Sequence, residues 1–380
     1  MTAIPPNLAS RLALLAYDVE GTPNKLDVDR VIKKHFKFKT SDVHQGTTGG
    51  FFWRETTGFV LIGQGHSLQH KGDHVIAVRG TASLADALTD ATCHTTSSDT
   101  GTQVHTGFQT TFASFRDALE GYISKPEVLN SSGVIHCIGH SLGGALATLV
   151  ADWIKSKYGK TVYLYTFGCP RVGKKDFAIK SSSRIDKIFR CVHGADPVAK
   201  VPVWPFYHAH INGSEYVSYR AQGVDVSAHS MLKAPGYINT TNFSDWGDIY
   251  SQQAGSILER VVLNYNNRIQ TTYSAHWADK IAAALMTLMI DGGFHNAVLA
   301  LQHGGAAIGS VYDFMASCTV KVASMAGLED QVRGLLGHML VFAGKGADIV
   351  INFTVSFIKW VFSVTIGRLM NSAKMALKNQ

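Results

Sequence analysis

The chain has 380 residues, of which 46% are hydrophobic and 17% are charged, and its formal net charge is +7. This length and composition exclude a disordered protein and fit one large domain with a smaller one, or two domains of ordinary size. The apolar fraction and the positive charge favour contact with lipid or an anionic surface, whereas the chain has no arginine-rich run or nucleic-acid motif, so a nucleic-acid partner is not expected.

The five cysteines are scattered and lack CxxC spacing, which predicts neither a disulfide framework nor a zinc site and indicates a reducing compartment. They are Cys93, Cys137, Cys169, Cys191 and Cys318. Near the start of the sequence, prolines stand where a signal peptide has basic residues, and Arg11 interrupts the apolar stretch. We therefore expect synthesis in the cytoplasm without a signal peptide, and any export by a route other than Sec.

Short β-rich runs alternate with helical patterns, which predicts an α/β domain with a mostly parallel central sheet. The predicted elements are, in chain order, a helix over Asn7–Tyr17, a strand over His74–Gly80, a helix over His105–Ile123, a strand over Val134–Ile138, a helix over Leu142–Lys155, a strand from Thr161, a strand over Lys187–Val192, and two short antiparallel runs at Phe206–Ile211 and Glu215–Arg220.

From about Ile281 the strand signals fade, and the sequence becomes rich in Ala, Gly, Met and Leu and poor in charge. We therefore predict two parts, an α/β domain over residues 1–280 and an apolar helical region over 281–380. The last apolar stretch, IVINFTVSFIKWVFSVTIG, has about the length of a membrane span but is broken by Lys359. Its polar residues recur at spacings of four and three, which favours an amphipathic helix. Buried packing, binding at a membrane surface and a membrane span remain open alternatives.

The stretch VIHCIGHSLGGALATLVADWIK combines a strand, a tight glycine turn and a helix, with Ser141 between two glycines in a GxSxG pattern. Such a turn lifts a serine hydroxyl above the sheet, and the small glycines let strand and helix pack closely. The backbone N–H of Leu142, at the helix start, would stabilise a developing oxyanion. The sequence therefore predicts that Ser141 is a nucleophile; the alternative is a serine that only caps the helix.

A serine nucleophile needs a histidine base and a carboxylate, which follow it in the order Asp, His in this type of fold. Asp196, in CVHGADPVAKVP, follows the predicted strand that ends at Val192 and precedes Pro197. We predict that Asp196 is the acid; the alternative is that its side chain only forms a turn before the proline.

Four stretches together resemble the class 3 lipases, the fungal-type branch of the α/β hydrolases. They are VIAVRGTASLADALTD, VHTGFQTTF, GHSLGGALATL with YTFGCPRVG, and ADPVAKVP followed by YHAHINGSEYV, and they cover about residues 70–220 in the family's order. The resemblance implies an α/β-hydrolase fold with Ser141 as nucleophile, Asp196 as acid and Thr81 as a second oxyanion donor. It also implies that Ser83–Ala91, with Leu84 and Leu88 on one face, corresponds to the family's lid.

Two histidines are candidates for the base. His276 opens an apolar helix and is followed by Trp277, a pattern that the family shows at its catalytic histidine; His229 resembles the shorter bacterial forms. On this pattern we predict His276. His208 and His210 form an H-x-H pair without a third ligand at useful spacing, so no metal site is expected, and His105 and His140 are interpreted as structural or supporting residues.

The combination predicts a serine esterase that needs no cofactor and cleaves lipid acyl esters through an acyl-enzyme, with membrane phospholipids as the expected substrates. The absent signal peptide and the apolar tail resemble type VI secretion effectors, which implies a spike protein, an immunity protein and action at a target membrane. Two alternatives stay open: an esterase or lipase acting on neutral esters, and a membrane-disrupting protein that uses its C-terminal helices.

Overall fold

The computed structural model describes residues 2–20, 26–48, 55–81, 88, 94–211, 213–253, 259–303, 308–346, 348–349 and 351–379. Its main sheet has eight strands in the order β1-β2-β3-β6-β7-β8-β9-β10. The bounds are β1 Phe36–Thr48, β2 Glu55–Gly65, β3 His74–Val78, β6 Ile135–His140, β7 Val162–Phe167, β8 Lys187–His193, β9 Ser214–Tyr219 and β10 Ser251–Gln253, while β4 (Thr95–Ser97) and β5 (Gln103–His105) form a separate pair.

Strands β3, β6, β7, β8 and β9 are parallel, and β1, β2 and β10 pair antiparallel at the two edges. The expected α/β-hydrolase fold with a mostly parallel sheet is confirmed. The hairpin of β1 and β2 was not predicted. The antiparallel partner of β9 is β10, so the prediction of a strand over residues 206–211 is wrong. That segment is apolar because Phe206 and Tyr207 are buried, and its β-bridge among the described residues is an isolated one, from Tyr207 to Gly173.

Helices cover both faces of the parallel strands. They are α1 Pro6–Leu15, α2 Thr106–Ile123, α3 Leu142–Tyr158, α4 Lys175–Arg184, α5 Ala275–Asp291, α6 His295–His303, α7 Ile308–Ala323, α8 Glu329–Phe342 and α9 Val355–Lys378. In β3, Val75 and Ala77 pack with α1 on one face, while Ile76 and Val78 pack with α2 and α3 on the other. A strand buried on both faces is apolar throughout, which is why the parallel strands were recognisable in the sequence.

The C-terminal helices form a second core that is continuous with the first. Helices α5, α7 and α8 surround a cluster that also takes in Trp204 and Tyr207 of the hydrolase part. The helical prediction for this region is confirmed. Its apolar residues pack on the hydrolase part, which corresponds to the first of the three alternatives, buried packing. Residue 280 lies inside α5, and the division at 280 stays a prediction. Among the described residues, no helix combines the length and apolarity that crossing a bilayer requires.

Candidate active site

Ser141 sits at a strained turn between β6 and α3. Its backbone has φ 59° and ψ −133°, and its side chain makes no capping bond to the helix, which excludes the capping alternative. A Cβ on Gly139 would lie 2.2 Å from the carbonyl oxygen of Gly143, and a Cβ on Gly143 would lie 2.3 Å from that of Val78. Only glycine permits this close approach of strand and helix, so the two flanking glycines build the turn that aims the hydroxyl.

The side chains of Ser141, His229 and Asp196 form a continuous hydrogen-bonded line. The hydroxyl of Ser141 donates to Nε2 of His229 over 2.7 Å, and Nδ1–H of His229 donates to Oδ2 of Asp196 over 2.8 Å. With the ring proton on Nδ1, the Nε2 lone pair of His229 is directed at the serine proton. This is the geometry of a nucleophile, a base and an orienting acid.

The structure contradicts the choice of His276 as the base. Both ring nitrogens of His229 are engaged with the nucleophile and the acid, while His276 is exposed in the first turn of α5. It lines a cleft of about 760 Å³ together with His193 and Gly194. The aromatic residue after His276 starts the packing of the C-terminal core instead. His229 reaches the triad because the N–H of Asp225, four residues earlier, donates to the carbonyl of Ala195 beside the acid (2.9 Å).

Asp196 is held by more than the histidine. Its Oδ1 accepts the backbone N–H of Val198 (2.8 Å), which is the turn expected before Pro197, and its Oδ2 also accepts the hydroxyl of Tyr237 (2.8 Å). One carboxylate therefore both forms the turn and holds the His229 ring. Burial, with the negative charge of Asp196 next, raises the pKa of Tyr237 far above its ordinary value. Tyr237 consequently stays protonated and remains a donor.

Buried histidines support the base from behind. Tyr17 donates to Nδ1 of His140 (2.8 Å), whose Nε2–H donates to the carbonyl of His229 (2.8 Å), and the His140 and His229 rings stack at 4.8 Å. His193 donates from Nδ1 to the carbonyl of Ala228 (2.6 Å). Burial lowers the pKa of His193 to about 4 and that of His140 well below its ordinary value, so both rings stay neutral. His140 has the predicted supporting position, and His105 caps α2 by accepting the N–H of Gly107 (3.0 Å).

The two predicted oxyanion residues, Leu142 and Thr81, lie next to the turn. Leu142 is the first residue of α3, so its N–H is among those that a helix start leaves unpaired. Gly80 lies so near the turn that a Cβ there would be 3.2 Å from the carbonyl oxygen of His140 and 3.4 Å from the N of Gly143. Thr81 follows it and is 9% exposed. The predicted lid, Ser83–Ala91, falls outside the described residues except for Leu88, which is fully buried.

One group among the described residues has the composition of a metal site. His70 Nδ1 and His136 Nε2 both donate to Oδ2 of Asp73, over 2.9 and 3.3 Å, and Val134 N–H donates to its Oδ1. Burial raises the pKa of Asp73, but these three hydrogen bonds outweigh it and hold the pKa well below its ordinary value. The group lies at the amino ends of β3 and β6, opposite the triad, and these hydrogen bonds fully engage the carboxylate without a metal.

The H-x-H pair has a different environment. His208 is buried against the guanidinium of Arg190 (2.9 Å), and His210 contacts the carbonyl of Ser214 (3.0 Å). Burial, followed by the charge of Arg190, lowers the pKa of His208 well below its ordinary value. A fixed arginine charge beside the ring disfavours a metal cation there.

Sequence reasoning missed Tyr17, His193, Tyr237 and Gly168. Gly168 has φ +56°, and a Cβ on it would lie 2.6 Å from Oδ2 of Asp196 and 3.0 Å from Nδ1 of His229. The only sign of this role in the sequence is that a glycine directly follows strand β7. The other three carry no local pattern, because their roles depend on contacts between segments far apart in the chain.

Residues 75–206 match the model of a known family, lipase (class 3). Over 138 residues the chain is 33% identical to secreted mono- and diacylglycerol lipase 1 of Fusarium solani, a match that covers 36% of this chain and 41% of that protein. The resemblance read from the sequence motifs is confirmed over this segment.

Two further relatives have other descriptions. The chain is 38% identical over 106 residues to toxin TseL of Vibrio cholerae, covering 27% of this chain and 16% of that toxin. It is 32% identical over 152 residues to the chloroplastic phospholipase A(1) DAD1 of Arabidopsis thaliana, covering 34% of each. In all three cases the match spans less than half of the relative.

Proposed function

We propose that this chain, whose residues 75–206 form a class 3 lipase segment, is a serine carboxylic ester hydrolase that acts on lipid acyl esters. The observation that carries the proposal is the hydrogen-bonded line from Ser141 through His229 to Asp196 at a strained turn. A serine that serves only structure has no need of a positive φ, a directed imidazole and a buried carboxylate together.

The reaction follows from these atoms. His229 Nε2 takes the proton of Ser141 as Oγ attacks the ester carbonyl carbon, and the negative carbonyl oxygen is stabilised by the N–H of Leu142 and by Thr81. His229 then gives the proton to the leaving alkoxide oxygen, which departs as an alcohol and leaves an acyl-serine. Water, deprotonated by His229, attacks the acyl carbon; the bond from that carbon to Oγ of Ser141 breaks, His229 returns the proton to Oγ, and the fatty acid is released. Asp196 stabilises the imidazolium in both halves.

Membrane phospholipid is the substrate that we favour. The formal charge of +7 attracts the chain to anionic bilayers, and a plant phospholipase A(1) is among its relatives. Neutral acylglycerols are the second candidate, supported by the Fusarium solani relative.

We further propose that the protein is an antibacterial effector exported without a Sec signal, with a spike protein and an immunity protein as partners. The 38% identity to a Vibrio cholerae toxin supports this proposal. Disruption of membranes by the C-terminal helices, without catalysis, is the alternative that the next experiment separates.

The test is fatty-acid release from vesicles of phosphatidylethanolamine and phosphatidylglycerol, and from emulsified diacylglycerol. We expect Ser141→Ala and His229→Ala to lose at least ~10³-fold in rate, and His276→Ala to remain within about threefold of wild type. Circular dichroism controls for folding. Vesicle leakage that survives Ser141→Ala would favour membrane disruption, and release from diacylglycerol alone would favour the neutral-ester alternative.

A further inference from the structure

The triad is closed to solvent in this structure. Ser141 and His229 have no exposed surface, and Asp196 is 1% exposed. The open cleft beside His276 is not lined by Ser141. An ester carbon has to come within about 3–3.5 Å of the serine oxygen before it can be attacked. Some segment must therefore move before any substrate reaches the nucleophile.

Helix α9 packs on the loops that carry the base and follow the acid. The helix contacts the short helical turns Val198–Lys200 and Val226–His229. Its C-terminal half belongs to the same apolar cluster as Val198. The residues of this half that face inward recur every three or four positions and are almost fully buried: Leu369, Met370, Ala373, Ala376 and Leu377. Leu142 and Val198 belong to the same apolar cluster. The helix thus occupies an apolar surface beside the triad, where a fatty acyl chain would be expected to bind.

Tyr273 connects α9 to the loop that leads to the base. Its hydroxyl contacts the Ser372 hydroxyl (2.7 Å) and the carbonyl of Arg368 (3.0 Å), and the guanidinium of Arg368 lies 3.9 Å from the centre of its ring. Its own carbonyl accepts the N–H of Val224 (3.0 Å), two residues before the turn that ends at His229. The hydroxyl of Tyr273 is therefore a removable attachment between the helix and the catalytic loop.

The opposite side of α9 is suited to a lipid surface. Trp360 is 39% exposed and Met375 57% exposed. Val355–Lys378 contains four basic residues (Lys359, Arg368, Lys374, Lys378) and no acidic residue, a formal charge of +4. Of these, Arg368 turns inward to Tyr273, and Lys359 pairs with Asp313 of α7 (3.1 Å). Amphipathic, basic helices with aromatic residues bind at the surface of anionic bilayers, and lipid can bury the apolar stripe that the hydrolase part would lose.

We propose that α9 is a displaceable cover of the active site, held by Tyr273, and that an anionic phospholipid surface displaces it so that an acyl ester can reach Ser141. The inference rests on the proposed function, since it assigns the access route of that same site. It differs from the family's lid, Ser83–Ala91, because α9 lies outside the segment matched to the family. The test therefore has to separate α9 from the lid.

The first arm measures hydrolysis of p-nitrophenyl butyrate without lipid, in the full-length chain. Tyr273→Phe keeps the ring but removes the hydroxyl, so we expect kcat/KM to rise by about fivefold as the open population increases. Tyr122→Phe is the matched control, because the Tyr122 hydroxyl contacts Nδ1 of His74 (2.7 Å) at the opposite end of the sheet. This control should leave kcat/KM unchanged. Equal rates in the two variants would overturn the role of Tyr273.

The second arm measures hydrogen exchange and does not depend on catalysis. We expect the amides of the two covered turns, residues 198–200 and 226–229, to exchange at least tenfold faster with phosphatidylglycerol vesicles, in wild type and in Ser141→Ala alike. Unchanged exchange there would overturn the cover, whichever rates the esterase arm gave. An equal increase with phosphatidylcholine vesicles would overturn the anionic preference. Absence of ester cleavage in every variant, with exchange increased, would instead refute the proposed function.

Discussion

Gly168 offers a sharp test of the triad because the atoms nearest to an added Cβ on this glycine belong to Asp196 and His229. An alanine there would place Cβ 2.6 Å from Oδ2 of Asp196, whereas ordinary contacts begin at 3.4 Å. The carboxylate or the His229 ring must therefore shift by roughly 0.8 Å, and a displacement of that size costs on the order of 10²-fold in rate. The φ of +56° adds about 1 kcal/mol of backbone strain.

We therefore expect Gly168→Ala to lower kcat/KM for a short-chain ester by about 100-fold, or ~2.7 kcal/mol of transition-state stabilisation. Gly159→Ala is the matched control, because Gly159 has φ +64° and nothing within 4 Å of an added Cβ. It should show similar strain in thermal unfolding and unchanged kcat/KM. If Gly168→Ala retained wild-type kcat/KM within threefold while folded, the triad geometry described above would be refuted.

Three further predictions concern buried groups. The pKa of His193 falls from 6.5 to about 4 on folding, so between these pH values the unfolded chain binds more protons than the folded one. The free energy of unfolding should therefore be at its full value above pH 6.5 and fall by about 3 kcal/mol toward pH 4. In thermal unfolding measured against pH, His193→Gln should flatten this slope. Arg190 and Glu215 form a buried ion pair, so Glu215→Gln should lower the free energy of unfolding in urea by ~3 kcal/mol, because it leaves the arginine charge buried and unpaired. Replacing both residues of the pair, by Met and Leu, should lower it by less. Equal losses in the two variants would contradict this expectation. Burial raises the pKa of the Cys137 thiol well above its ordinary value, and burial raises the pKa of the Cys169 thiol to about 12. Iodoacetamide at pH 8 should therefore modify both thiols in urea but not in the native protein, as mass spectrometry would reveal.

The parts of the fold that the sequence predicted are those with local signals. Strand β6, the glycine turn and helix α3 were recognisable because a two-sided buried strand, a steric requirement for glycine and a helical pattern follow one another within 25 residues. In the hairpin of β1 and β2, Phe36 and Phe38 alternate with lysines and β2 contains the apolar run FVLI, both of which are strand signals that went unused. The remainder of β1, TSDVHQGTT, is polar and carries no such signal. Tertiary pairing, with irregular register between residues 38 and 43, decides its structure.

The base could not be chosen from the sequence because contacts between segments far apart in the chain decide which histidine lies beside Ser141. The sequences around His229 and His276 are both compatible with a catalytic histidine. What distinguishes the two is the hydrogen bond from the N–H of Asp225 to the carbonyl of Ala195, which holds the loop of His229 over the carboxyl ends of the strands. The pattern of an aromatic residue after the histidine belongs here to the packing of α5 against α8, where Trp277 stacks on His338 at 5.1 Å. The pattern of a histidine followed by an aromatic residue favoured His276, because the core of the C-terminal helices also needs an aromatic residue at position 277.

The long separation in sequence between α9 and the loop that it contacts has a consequence for biosynthesis. Leu369 follows His229 by 369 − 229 = 140 residues, so a ribosome adding about 5–20 residues per second makes the covering helix some 7–28 s after the loop that it covers. During that interval the apolar surface around the catalytic loops has no helix to bury it. The nascent chain should therefore bind a chaperone at this surface, and release should coincide with emergence of α9.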